Sequence, residues 1–250
     1  MHPEGGQSYA EFLQSRPHYP DKAHSTIYLQ PLDIFPADAP SLTTLKSFAE
    51  SFFAMRVNVL PVMHLPQGRI TTRINQETGK QQMLTTDIRK ALAQHIPRDA
   101  YCVLGLTMRD LYPDPAWNFV FGEASLRERV GVYSFARYDP RFYGNDSPQR
   151  AELMLRRSCK VLAHEAGHMF GLAHCIYFRC VMNGSNHMEE TDSSPMHLCP
   201  VDLRKLCASI GFDLVERYAH LAHFYRSLRL TDEAMWTEKR LQSATVLPVK

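Results

Sequence analysis

The chain has 250 residues, 44% hydrophobic and 22% charged, the composition of an ordinary globular domain with enough material for a real core. With 28 basic and 26 acidic side chains, the net charge of +2 gives no electrostatic footprint for nucleic acid or an anionic membrane. No apolar run approaches the roughly 18 residues of a membrane span, and the first twenty residues lack a basic region leading into an apolar one.

Residues 1–25 are rich in Pro, His, Gly and Ser without periodicity, and read as a mobile arm or a strap over the surface. From residue 26 the signals alternate. TIYLQ is a short strand. SLTTLKSFAESFFAMR has a Ser cap and apolar Leu45, Phe48 and Phe52 at helical spacing. VNVLPVM is a strand, and TTDIRKALAQHI a second helix built on Ile88, Leu92 and Ile96. AYCVLGLT is a continuous apolar run of the kind found in buried central strands. NFVFGEA and VGVYSF are further strands, followed by a long helix from about Ser147 to Gly171. The economical architecture is α/β (α+β), a twisted mixed sheet with helices packed on it. Residues 175–199 are irregular, after which PVDLRKLCASI and FDLVERYAHLAHFYRS read as helices. The expected organisation is an arm (1–25), one domain (26–226) with an upper part (26–173) and a smaller helical lower part (174–226), and a tail (227–250) that contains one weak helical stretch.

The chemistry concentrates in 164-HEAGHMFGLAHC-175. His164 and His168 stand four apart, so on a helix both imidazoles leave from one face and can share one Zn²⁺. Gly171 allows the positive φ that ends the helix sharply, bringing His174 back as a third ligand. Three protein ligands leave a fourth position open, as catalytic zinc sites require. Glu165, beside the first ligand, is placed to reach a water on the metal.

Six cysteines are present, Cys102, Cys159, Cys175, Cys180, Cys199 and Cys207, four of them between 175 and 207. Such a cluster in a chain with no visible secretory signal reads as a metal site rather than a disulfide framework. The same two features give the expectation of an intracellular, cytoplasmic or nuclear, location. Cys102 and Cys159 read as small buried residues. Arg156 and Arg157 read as a solvated helix face, and Asp110 as a support or turn cap near a strand end.

HExxHxxGxxH followed by a methionine turn, here Met182 in CVMNG, resembles the metzincin zinc metallopeptidases. The cysteine directly after the third histidine, then C180-x-M182-x-G184 and C199-P-V-D202, are similar to the archaemetzincin (archaelysin) family. The resemblance covers about residues 26–226. It implies a metzincin-like fold with a long active-site helix and a Met-turn. It also implies a catalytic zinc on His164, His168 and His174, and peptide-bond hydrolysis by a zinc-bound water that Glu165 activates. The family further implies a second, structural zinc held by four cysteines. Cys175, Cys180 and Cys199 match that pattern, but the fourth position is Asp202. Asp202, Cys207, a water or a neighbouring His187 or His197 are the candidates to complete it, and an empty site is the alternative. The expected partners are peptide or protein substrates, with no nucleic acid and no membrane, and a monomer as the simplest state. Hydrolysis within chains or at free N-termini as an aminopeptidase remains open. The competing function is a catalytically weak, zinc-stabilised peptide-binding protein. Tyr177 reads as packing, and 119–125 as a sheet edge that a peptide could pair with.

Overall fold

The computed structural model describes residues 5–66, 68–185 and 187–246. A five-stranded sheet forms the frame, built from β1 (Thr26–Pro31), β2 (Arg56–Val59), β5 (Ala100–Thr107), β7 (Gly122–Ser125) and β8 (Val130–Ser134). Their order is β2-β1-β5-β8-β7, parallel except for β7, which runs antiparallel on β8 at the edge. All eight residues of β5 are buried, as its unbroken apolar run requires of a strand covered on both faces.

A second sheet was not expected. β3 (Thr72–Ile74), β4 (Gln81–Leu84) and β6 (Asp110–Tyr112) associate in the order β3-β4-β6. β3 is exposed or half-buried throughout, and β4 buries the polar Gln82 beside Met83, so neither shows the apolar alternation that marks a strand in sequence. The helices α2 (Leu42–Phe53), α3 (Thr85–Ala93) and α4 (Arg150–Met169) lie at or close to the expected positions. Ser41 caps α2 by accepting from Thr44 N, and Leu45, Phe48, Ala49, Phe52 and Phe53 form its buried stripe. α4 buries Met154, Leu162, Ala166 and Met169 against the sheet side, together with one carboxylate, Glu165.

The lower part contains α5 (Met188–Ser193), α6 (Pro200–Ile210) and α7 (Leu214–Ser227). It shares a core with the upper part, which runs from Phe48 and Phe52 through Phe170 to Leu221 and Phe224. The C-terminal end corrects the expectation, and the N-terminal end takes one of its two expected forms. Residues 231–246 are not a tail but helix α8 (Thr231–Val246), packed on α7 with Ala234 and Thr237 buried. The N-terminal segment is a strap and not a free arm. It contains α1 (Tyr9–Gln14), closed by a reciprocal Ser8–Glu11 capping box. Phe12 is fully buried in the main core, and Tyr101 Oη lies 2.8 Å from the carbonyl oxygens of both His18 and Met169. Such short capped helices gain their stability from one well-buried side chain, which gives little periodicity to read.

Arg156 and Arg157 are also corrected. Arg156 bridges Glu152 to Glu233 of α8, and Arg157 pairs with Asp192 of α5 at 2.6 Å while donating to Tyr138 O. They join α4 to two later helices instead of facing solvent. Cys102 and Cys159 are buried as expected.

Candidate active site and second metal-type cluster

His164, Glu165 and His168 lie on the last turns of α4, and Gly171, at φ +82°, turns the chain so that His174 returns to the same face. Nε2 of His164 is 3.0 Å from Nε2 of His168 and 3.2 Å from Nε2 of His174. Nδ1 of His164 is 3.0 Å from Val181 O, and Nδ1 of His168 is 2.7 Å from Leu172 O. A carbonyl only accepts, so each Nδ1 carries its ring's proton and Nε2 keeps a lone pair. Burial, and then the adjacent His168, hold His164 well below the usual histidine range, so it is a neutral ligand-type imidazole. Nitrogen donors at 2.0–2.1 Å from one tetrahedral ion would stand about 3.3 Å apart. The observed spacings fit one such ion, and lone pairs converging this closely call for a cation between them.

Glu165 is 6% exposed. Its carboxyl packs against the backbone of β7 so closely that a Cβ on Gly122 would come within 2.7 Å of Cδ and Oε1. Only glycine permits that approach. Burial, with repulsion from Glu123, pushes the Glu165 carboxyl up to about 8. A dication beside the histidines acts in the opposite direction. Met182 is fully buried with its sulfur against Gly167 of α4, and its carbonyl accepts from Cys175 N at 2.8 Å. It thus lies under the helix that carries the histidines.

A cleft of about 850 Å³ runs past this group. Its lining includes 117–122 leading into β7, Val161, His164, Glu165 and His174, and Ile176 beyond the turn. The second sheet fixes the 117–122 segment. Arg73 of β3 donates to Pro115 O, Trp117 O and Asn118 O, and Gln82 of β4 donates to Asn118 O at 3.0 Å. Gln82 also donates to Asp110, which forms a two-pronged pair with Arg137 at 2.7 and 2.8 Å. The Arg137 guanidinium lies 3.7 Å over the Phe119 ring. Asp110 is therefore a support, one of the two roles its position suggested. Arg73, Gln82 and Arg137 had no signal of their own in the sequence.

Cys175, Cys180, Cys199 and Asp202 converge in a second, buried group. Cys175 Sγ and Cys199 Sγ are 3.8 Å apart, far beyond a disulfide and equal to the about 3.8 Å edge of a tetrahedron with 2.3 Å metal–sulfur bonds. Asp202 Oδ2 is 3.2 Å from Cys180 Sγ and 3.4 Å from Cys199 Sγ. Burial pushes the Cys175 thiol up to about 11, and a dication is the counter-charge that opposes such a shift. The donors fit a closed four-coordinate zinc. Cys207 lies elsewhere, its thiol near Phe212 O; His197 stacks on Trp236 at 3.6 Å and His187 pairs with Glu190. None of these three joins the cluster, so Asp202 is the side chain that completes it. Tyr177 is half exposed, against Gly6 of the strap.

Sequence reasoning missed Gln7 and Lys205. Gln7 Nε2 donates to Gly171 O at 3.1 Å, and its Oε1 accepts from Ala173 N at 3.2 Å, bracketing the turn that delivers His174. Gln7→Ala is expected to lower stability by about 1–2 kcal/mol. Thermal unfolding checks this, since a free arm would leave the midpoint unchanged.

A mixed α/β fold that raises three imidazoles and a buried carboxylate beside a long cleft is the architecture of a metallopeptidase. Comparison with known proteins narrows the class. The model of peptidase family M54 matches residues 70–208. Archaemetzincin-2 of Rattus norvegicus is 38% identical over 88% of this chain and 69% of its own length. The crystal structure of archaemetzincin from Methanopyrus kandleri superimposes with a TM-score of 0.59 at 30% identity, covering 76% of this chain and 97% of that one. A zinc-dependent peptidase from Methanocorpusculum labreanum shares the fold, with a TM-score of 0.58 at 22% identity over 72% of this chain and 99% of that one. The chain belongs to peptidase family M54, the archaemetzincins.

Proposed function

We propose that the protein is a zinc metallopeptidase with its reaction centre at His164, His168 and His174 and a structural zinc at Cys175, Cys180, Cys199 and Asp202. The observation that carries the reading is the convergence of the His168 and His174 Nε2 atoms within 3.2 Å of His164 Nε2, beside a buried carboxylate at the wall of a cleft. Zinc bound there supplies Lewis acidity toward a peptide carbonyl and lowers the pKa of water. The chain's residues do the rest. Glu165 accepts the proton of the attacking water at its carboxylate and delivers it to the leaving amine. The Nδ1–carbonyl hydrogen bonds hold the His164 and His168 rings in one tautomer and orientation. Edge strand β7 offers unpaired backbone along which an extended peptide can lie as an added strand. The aromatic rings of Trp117, Phe119 and Phe121 along the cleft favour substrates with large apolar side chains.

The direct test combines elemental analysis with cleavage of a quenched-fluorescent peptide library. Protein purified under reducing conditions should carry close to two zincs, and a chelator that strips the first should abolish cleavage. One zinc would leave only one of the two centres loaded, and His168→Ala would show which. Two zincs with no cleavage of any peptide would make this a peptide-holding protein instead.

A further inference from the structure

Lys205 is almost completely buried, with its side chain 2% exposed, in a region where its salt-bridge partner Asp202 is 1% exposed. Its ammonium reaches two groups. Nζ is 2.8 Å from Asp202 Oδ1 and 2.5 Å from the carbonyl oxygen of Gln7. The two residues are i and i+3 at the start of α6, so the helix itself holds them side by side. Asp202 is thereby split between two tasks, because Oδ1 is taken by the lysine while Oδ2 faces the thiols of Cys180 and Cys199.

We infer that Lys205 is the positioning residue that lets a carboxylate serve as fourth donor in the second metal cluster. This inference rests on the reading of that cluster as a zinc site. A thiolate presents one donor atom and needs no orientation. A carboxylate presents two oxygens and rotates about its terminal bond, so it can ligate through either or chelate through both. Anchoring Oδ1 on a buried ammonium stops that rotation and leaves one oxygen for the metal. It also supplies a positive charge. Three thiolates and a carboxylate around a dication carry two excess negative charges in a buried site, and one ammonium in contact halves that excess. The second acceptor of Lys205, Gln7 O, belongs to the strap residue whose side chain brackets the His174 turn. The same lysine therefore ties the two metal-type groups to one N-terminal segment.

The experiment follows zinc release to 4-(2-pyridylazo)resorcinol from the full-length chain in a His168→Ala background, so that only the second cluster reports. Four proteins are compared: this background, and the same with Lys205→Met, with Asp202→Cys, and with both. Lys205→Met is expected to speed release at least about tenfold when Asp202 is present, as loss of a group orienting a metal ligand does. In the Asp202→Cys background, where no second oxygen needs holding, the same change should alter release less than about threefold. Equal acceleration in both backgrounds would reduce Lys205 to a packing residue and overturn the inference. No acceleration in either would overturn it as well. Should Lys205→Met alone fail to fold, the double variant decides: retention of its zinc supports the inference, and its failure refutes it. Zinc absent from the His168→Ala protein itself would remove the second zinc site and this inference together, while cleavage by the unmodified protein would still stand or fall separately.

Discussion

Glu165→Gln should lose at least about 100-fold in peptide cleavage while its zinc content stays at the parent value. The substitution is nearly isosteric, which matters because the carboxyl is packed against the Gly122 backbone with no room for a larger group. Gln keeps that contact and the shape of the cleft, and removes only the ability to accept and return a proton. The three imidazoles are untouched, because their orientation comes from Val181 O, Leu172 O and the Gly171 turn rather than from Glu165. Steady-state cleavage of the best library peptide, paired with elemental analysis of the same sample, separates the two effects. Cleavage persisting near the parent rate would reassign the proton acceptor. Loss of zinc together with activity would mean that the carboxylate holds the centre together electrostatically, and so would not establish its role in proton transfer.

Arg137→Met should cost about 3–5 kcal/mol of stability, read as a lowered urea midpoint. The Arg137 and Asp110 side chains are only 5% and 2% exposed, and the substitution leaves the Asp110 carboxylate buried without its cation. Asp110→Leu combined with Arg137→Met should recover much of the loss, since two apolar groups leave no unpaired charge. Recovery of stability need not restore peptide cleavage. Arg137 also supports the Phe119 ring, and Asp110 orients Gln82 on Asn118, so the double variant still loses part of the clamp on the 117–122 wall of the cleft, leaving the Arg73 bonds. A midpoint unchanged in Arg137→Met would show that the pair contributes nothing net to stability.

The three-histidine group was legible because its spacing is local. Four residues bring His168 over His164 on any helix, and a glycine three residues on is where a helix can leave with positive φ. The cysteine pattern was legible as a group, but its fourth member was not. Asp202 and Cys207 are both on α6, and deciding between them required knowing that Cys180 and Cys199 approach its first turn, while Cys207 turns to Phe212. The strap illustrates the other limit. Gln7 meets Gly171 across 164 positions of chain, and neither the short helix α1 nor its loop carries a periodic pattern that forecasts a partner.

By itself the sequence determined the mixed α/β character, the central apolar strand, the long helix and the three-histidine group with its glutamate. These depend on patterns of two to four residues that backbone geometry converts directly into a shared face. Only the tertiary structure decided that a second sheet clamps the cleft wall, that Asp202 completes the thiol cluster, and that Lys205 and Gln7 bind both metal-type groups to the N-terminal segment. Those outcomes rest on buried polar contacts between distant segments. Their partners are chosen by where the packed core leaves a charge or a carbonyl unmet, and a linear pattern does not encode that position.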